Sequence, residues 1–302
     1  MVSPINRADD ARPFPGSFPT VYHCGQFLPA GDASVSIFDR GLLYGDGLFE
    51  TIRVRDFNPM RWNQHLDRLQ AGAHFLGIPL PHSPDELCAV AVQLAHLNQT
   101  STALLRLTLT RGIGPRGYSP KHANHPSVFM SLHEAPALDF QTPIQWRLVT
   151  SSIRLSPADP LIRFKTCNRL PYVLARRDAD AAQADDALLL NTRGEVAETS
   201  CANVFWLRNG SICTTPLECG VLPGITRANV LRLAHDLGLP TKETAVSPAE
   251  LLTADAVFLT VTSLGLVESI GLDNHPLARS SLVQSLYTAY WRLPDADRKE
   301  QT

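Results

Sequence analysis

Phe164-Lys165-Thr166-Cys167-Asn168-Arg169-Leu170-Pro171 opens the stretch on which the reading of this chain turns, residues 160–203. A helix follows, then two strand-like runs, residues 186–191 and 195–200, joined by the turn Thr192-Arg193-Gly194. Lys165 is one of only four lysines, with Lys121, Lys242 and Lys299, in a chain rich in arginine. It lies among apolar and small residues just before the helix. Low dielectric favours the neutral amine, the form that attacks a carbonyl to make a Schiff base. Glu198 lies at the end of the second run, where a carboxylate can hold a proton on a heterocyclic nitrogen. Taken alone, the same two residues also read as a partly buried structural lysine and an exposed hairpin glutamate.

Composition sets the outer bounds. A chain of 302 residues has room for two domains or one large one. With 44% hydrophobic and 19% charged residues it can build a packed core, which excludes wholesale disorder. The net charge of −2 gives no footprint for nucleic acid or a membrane surface. No apolar run is long enough to cross a bilayer. Residues 1–20 lack the apolar core of a secretion signal and read as a loose tail. The six cysteines form no C-x-x-C pair and read as reduced thiols of a cytoplasmic protein. The ten histidines show no metal-ligand spacing, so no metal is expected.

Periodicity predicts strands over residues 21–27, 34–38 and 48–54. Between the last two, Tyr44-Gly45-Asp46-Gly47 is either an ordinary β-turn or a place where backbone comes close to a ligand. Trp62, Leu66, Leu69, Ala73 and Leu76 mark an amphipathic helix ended by Gly77. Arg68 lies beside that stripe, as a solvated charge or an anion ligand. Ser83-Pro84-Asp85-Glu86 starts another helix, with Leu87, Val90, Leu94 and Leu97 on its buried face. Over residues 102–111, Ala103, Leu105, Leu107 and Leu109 face one way, and Leu104, Arg106, Thr108 and Thr110 the other. An arginine in mid-strand on a threonine-lined face suits a site wall better than a core. The loop 111–119 adds Arg111 and Arg116, suited to carboxylate recognition or simply a basic surface.

A strand over 127–133 completes a smaller N-terminal domain, residues 21–134, and the proline-containing run 135–144 reads as a linker. The larger domain, 145–302, opens with a strand over 145–152. Its first helix is expected over 170–183 with Leu170, Val173 and Leu174 inward. A hairpin over 201–207 and 211–215 follows, then a helix over 227–237. The Gly224-Ile225-Thr226 amides lie at the start of that helix, where free N–H groups and the positive dipole end suit a phosphate. A buried strand over 257–263 ends in hydroxyls, and a helix over 277–291 closes the chain.

Several of these motifs, in order, resemble the class IV aminotransferases. They are Tyr44-Gly45-Asp46-Gly47-Leu48-Phe49-Glu50, His65-Leu66-Asp67-Arg68-Leu69, the 111–118 loop, residues 165–170 and 198–205, Gly224-Ile225-Thr226 and Thr262-Ser263. The resemblance implies an α/β fold-type IV enzyme, two α/β domains with pyridoxal phosphate between them, in a homodimer. It implies Lys165 as the Schiff-base lysine and proton shuttle, and Glu198 facing the pyridine nitrogen. Arg68, the Ile225 and Thr226 amides and Thr262 would hold the phosphate. Phe49, Arg106 and Arg116 lie where relatives shape the substrate side or bind a carboxylate. Val261 departs from relatives that carry a hydroxyl or asparagine there, so only its backbone is available. Within the family, the 111–119 loop, Lys165-x-x-Asn168-Arg169-Leu170 and residues 202–206 look most like aminodeoxychorismate lyases, which release 4-aminobenzoate and pyruvate. Phe49-Glu50-Thr51 and Arg106 are also similar to branched-chain and D-amino-acid transaminases.

Overall fold

The computed structural model describes residues 15–294, so most of the expected tail, residues 1–14, lies outside the described residues. The strands are β1 (Thr20–His23), β2 (Gln26–Pro29), β3 (Gly47–Arg55), β4 (Asn58–Pro59), β5 (Thr102–Thr110), β6 (Ser127–His133), β7 (Ile144–Leu155), β8 (Asp186–Asn191), β9 (Val196–Thr199), β10 (Asn203–Arg208), β11 (Ser211–Thr214), β12 (Thr241–Glu243), β13 (Ala256–Val261), β14 (Gly265–Leu272) and β15 (His275–Pro276). The helices are α1 (Arg40–Tyr44), α2 (Trp62–Leu76), α3 (Pro84–Leu97), α4 (Leu170–Ala181), α5 (Ile225–Asp236), α6 (Pro248–Leu251) and α7 (Ser281–Arg292). Two compact units result. The first holds the described residues up to Ala135 together with Thr166–Asn168; the second holds Pro136–Lys165 and Arg169 onward.

In the first unit an antiparallel sheet runs β2-β1-β6-β5-β3-β4. The alternation read in β5 decides its two faces: Ala103, Leu105, Leu107 and Leu109 are fully buried, while Arg106 points to the other side. Each such leucine contributes about 1.5–3 kcal/mol of burial. Helix α2 packs on β3 through Trp62, Leu66, Leu69 and Ala73, and Gly77 ends it in the left-handed conformation at φ 64°. A capping box between Ser83 and Glu86 starts α3. Its buried face is Leu87, Ala91, Leu94 and Ala95; Leu97, expected inside, is 48% exposed because its position rolls past the stripe.

Two expected strands also fail here. Residues 21–27 are not one strand but a β1–β2 hairpin, because Cys24 and Gly25 take positive φ values of 47° and 98° and reverse the chain. Residues 34–38 form no strand, and Ile37 and Phe38 are 70% and 60% exposed. The chain turns instead into the short α1, with the Asp39 carboxylate accepting from the Gly41 amide.

The second unit is a mixed sheet in the order β12-β11-β10-β13-β14-β7-β8-β9, with β15 on β14. A further pairing of β9 with β10 closes β10, β13, β14, β7, β8 and β9 into a ring. One core cluster, including Leu188, Val204, Trp206, Leu259 and Val267, fills it. A second lies under α4, where Ala175 and Ala179 pack with Ala187 and Leu189. The inward face of α4 is therefore Tyr172, Ala175 and Ala179; Leu170 and Val173, expected inward, are 62% and 60% exposed. Small alanines let this helix approach the sheet closely, and Leu170 and Val173 fall on its outer side while Leu174 is partly buried. Helix α5 begins at Ile225, two residues earlier than the periodicity predicts, and α7 begins at Ser281 rather than at 277, after the Ser280 cap.

Candidate active site

In the second unit the candidate site centres on Glu198. It lies on β9, whose four residues are all buried, directly opposite Asn203 of β10. One carboxylate oxygen accepts from the Tyr172 hydroxyl at 2.8 Å. The other accepts from the Leu222 amide at 3.0 Å and the Asn203 side-chain amide at 3.3 Å. Burial pushes the Glu198 carboxyl up, and the Tyr172 and Leu222 bonds and the charges of Arg169 and Lys165 only partly oppose it. Asn203 also donates to the Leu222 carbonyl at 2.9 Å, and its oxygen fills the space that a side chain at Gly224 would need. A Cβ on Gly224 would lie 2.0 Å from that oxygen, so glycine is required here for packing.

Gly224 is the N-cap of α5 and brings no side chain to its first amides. Those amides have no partner inside the helix, and Thr226 among them is buried. Thr260 of β13 pairs with Asn203, so Glu198, Asn203 and Thr260 form a row on one face of the sheet. The Thr260 hydroxyl is buried and without a hydrogen-bond partner. Thr262 follows in the tight β13–β14 turn. Lys165 is half-buried at the end of the segment that follows a short 3-10 turn, Pro160–Arg163. The Arg169 guanidinium reaches back to the Phe164 carbonyl at 2.7 Å and stacks on the Tyr172 ring, pinning the residue before Lys165.

The first unit holds the other residues. Arg68 does not stand alone: its Nε and Nη2 grip both oxygens of Glu50 at 2.8 and 2.6 Å, and His65 Nδ1 meets the same carboxylate at 2.8 Å. Burial pushes Glu50 up, but the Arg68 charge and the His65 and Arg68 bonds outweigh it and hold the carboxyl at about 2. On the opposite face of β3, the Arg106 guanidinium lies 3.9 Å from the centre of the Phe49 ring. The side chain of Arg106 stays open to solvent on one side, yet desolvation by the surrounding protein lowers its pKa, against a smaller opposing effect of Cys167. Arg116 is exposed on the 111–119 loop.

Arg111, expected as a carboxylate ligand from that loop, is buried and committed. It bonds Asp46 and the carbonyls of Leu76 and Gly77 at the end of α2. Asp46 also takes Arg40, whose other nitrogens donate to the carbonyls of Gly117 and Tyr118. Burial pushes Asp46 up, but these two guanidiniums outweigh it and depress its pKa. The glycine-flanked Asp46 is thus a buttress that ties down the arginine loop. Sequence reasoning missed Glu50, His65 and Tyr172 as members of these networks. The available signals were His65 and Arg68 three apart on an apolar helix face, and Tyr172 in register with Ala175 and Ala179.

Residues 47–269 match the family model Amino-transferase class IV. A Methanocaldococcus jannaschii protein provisionally named a branched-chain-amino-acid aminotransferase is 37% identical over 254 residues, 84% of this chain and 88% of that protein. An aminodeoxychorismate lyase of Bacillus subtilis is 29% identical over 88% of this chain and 93% of its own. Among solved structures, the T.th. branched-chain amino acid aminotransferase with pyridoxamine 5'-phosphate superposes with a TM-score of 0.84 at 28% identity, over 91% of this chain and 93% of that one.

Pyridoxal phosphate fits the second unit's residues. An ionised carboxylate has about four lone-pair sites; three donors already point at Glu198, which leaves room for one more, such as a pyridinium N–H. The uncapped start of α5 offers amides to a phosphate, and the unsatisfied Thr260 hydroxyl lies on the same sheet face. Among the described residues there is no cluster of three or more His, Cys, Asp or Glu able to hold a metal ion, and no helix long and apolar enough to cross a membrane.

Proposed function

Because this chain belongs to the class IV aminotransferases, a family of pyridoxal-phosphate enzymes, we propose that it is a lyase converting 4-amino-4-deoxychorismate to 4-aminobenzoate and pyruvate, a step of folate biosynthesis. The observation that carries this reading is a pair of guanidiniums in the first unit. Arg106 is stacked on Phe49, and Arg116 is exposed on a loop whose base is tied down by Arg40, Asp46 and Arg111. The substrate has two carboxylates, and each arginine takes one.

When bound, the cofactor supplies an electron sink for the carbon that loses its proton. The chain's own residues do the rest. Lys165 attaches the cofactor covalently and moves the proton at the substrate carbon. Glu198 holds the proton on the ring nitrogen. Arg68, the Ile225 and Thr226 amides and Thr262 hold the phosphate, with the Glu50 carboxylate fixing the plane of the Arg68 guanidinium. The protein works in the cytoplasm as a homodimer; the exposed Val35, Ile37, Phe38, Leu42 and Leu43 support a second copy covering residues 35–43.

A transaminase acting on branched-chain or D-amino acids is the second reading. It is favoured by the 37% identical relative and by the commitment of Arg111, which leaves fewer guanidiniums for a dianionic substrate. The test is pyruvate release from 4-amino-4-deoxychorismate with no 2-oxo acid added. Stoichiometric pyruvate and 4-aminobenzoate support the lyase. Amino-group exchange with a 2-oxo acid, and no pyruvate from that substrate, assigns the transaminase.

A further inference from the structure

We infer that Tyr172 is a positioning residue whose hydroxyl, 2.8 Å from Glu198, keeps the Glu198 carboxylate ionised and aimed, and thereby sets where the proton of the cofactor ring nitrogen resides. The inference rests on the proposed role of Glu198. Tyr172 lies on the first turn of α4, on the same face as Ala175 and Ala179, which fix the helix against the sheet. Its ring is held on the other side by the Arg169 guanidinium, 4.8 Å from the ring centre. Arg169 is in turn anchored on the Phe164 carbonyl next to Lys165. One chain of contacts therefore runs from the Lys165 segment through Arg169 and Tyr172 to Glu198.

The direction of the bond is set by the chemistry of the pair. Desolvation and the neighbouring carboxylate both push the Tyr172 phenol up, so it keeps its proton and donates. Of the three donors on Glu198, the Leu222 amide is backbone and the Asn203 amide is the longest contact, at 3.3 Å. Tyr172 makes the short side-chain bond, and it does so on the carboxylate oxygen opposite the one that Leu222 and Asn203 share. The other charged groups acting on Glu198 are Arg169 and Lys165, both of which favour the carboxylate. Burial opposes ionisation, so the loss of one charge-assisted donor moves the proton toward Glu198 and away from the ring nitrogen.

The test follows the two protons separately. In protein labelled with 13C at the glutamate carboxyl, the Glu198 signal is the one missing from Glu198→Gln. In Tyr172→Phe, which keeps the ring, its titration midpoint should rise by about one to two pH units, the size of one lost bond to a charged group. Replacing Tyr172 with 3,5-difluorotyrosine, a stronger donor of similar shape, should move the midpoint down. In protein reconstituted with cofactor 15N-labelled at the ring nitrogen, Tyr172→Phe should shift the 15N signal toward unprotonated pyridine. Midpoints unchanged in both Tyr172 variants would overturn the inference, as would an unmoved 15N signal in Tyr172→Phe that retains cofactor. A wild-type protein that takes up no pyridoxal phosphate would defeat the proposed function instead, and the carboxyl titration would still decide whether Tyr172 controls Glu198.

Discussion

Replacing Glu50 by Gln tests the buried network around Arg68. Glu50 is fully buried, and its two oxygens take both prongs of a guanidinium whose side chain is 10% exposed, plus the His65 ring. A neutral amide of the same shape leaves the Arg68 charge without its counter-charge and turns an NH2 toward other donors. Breaking a buried pair in this way costs about 3–5 kcal/mol. The depressed Glu50 carboxyl gives a second figure for the same network. The Glu50 carboxyl lies at about 2 instead of 4.5, a gap of about 2.5 units, or about 3 kcal/mol. A depressed carboxyl stabilises the folded state above its unfolded pKa, and the stability is lost as pH falls through the folded value. The deficit of Glu50→Gln relative to wild type should therefore be full at neutral pH and shrink by about 2 kcal/mol by about pH 3. Urea unfolding of both proteins across that range measures it. A deficit under about 1 kcal/mol at pH 7, or one of constant size down to pH 3, would refute the reasoning.

Three further outcomes are expected. Gly224→Ala should force Asn203 off Glu198 and Leu222, costing about 1–3 kcal/mol in thermal or urea unfolding and weakening cofactor retention, because its Cβ would lie 2.0 Å from the Asn203 oxygen. Arg106→Gln and Arg116→Gln should each lower kcat/KM on aminodeoxychorismate, each by about 2–5 kcal/mol of transition-state stabilisation if it pairs a buried carboxylate; a loss confined to one arginine, on a monocarboxylic amino acid, indicates the transaminase. Glu198→Gln should leave the cofactor attached to the chain while slowing proton removal in single-turnover experiments, since a neutral amide cannot hold a pyridinium; near-normal rates would remove Glu198 from the site.

Elements whose local signals agree with their packing were legible in the sequence. The β5 alternation separated a leucine face from Arg106, the α2 stripe ended at Gly77, and Ser83 and Glu86 announced α3. Family motifs singled out Glu198 and Gly224-Ile225-Thr226; the fold buries Glu198 on β9 and makes Gly224 the N-cap of α5. What stayed hidden was set by tertiary contacts. Arg111 carries the same local signal as Arg116, and only its burial against Asp46 and the end of α2 separates the two. The inward face of α4 is chosen by close approach, so alanines displaced Leu170 and Val173 from the expected core. The hairpin at Cys24 and Gly25 needs positive φ at both residues, and Cys24 carries no glycine-like signal. Tyr172 sits among apolar neighbours in sequence, and only the fold brings its hydroxyl to Glu198.

The central claim is that Lys165 carries the cofactor, and it can be tested on the protein itself. Borohydride reduction of enzyme loaded with pyridoxal phosphate, followed by proteolysis and mass spectrometry, should place a phosphopyridoxyl group on the peptide containing Lys165. The same treatment of Lys165→Ala should leave no fixed cofactor and no turnover. A reduced adduct on another lysine in the wild type, or one that persists in Lys165→Ala, would contradict the account.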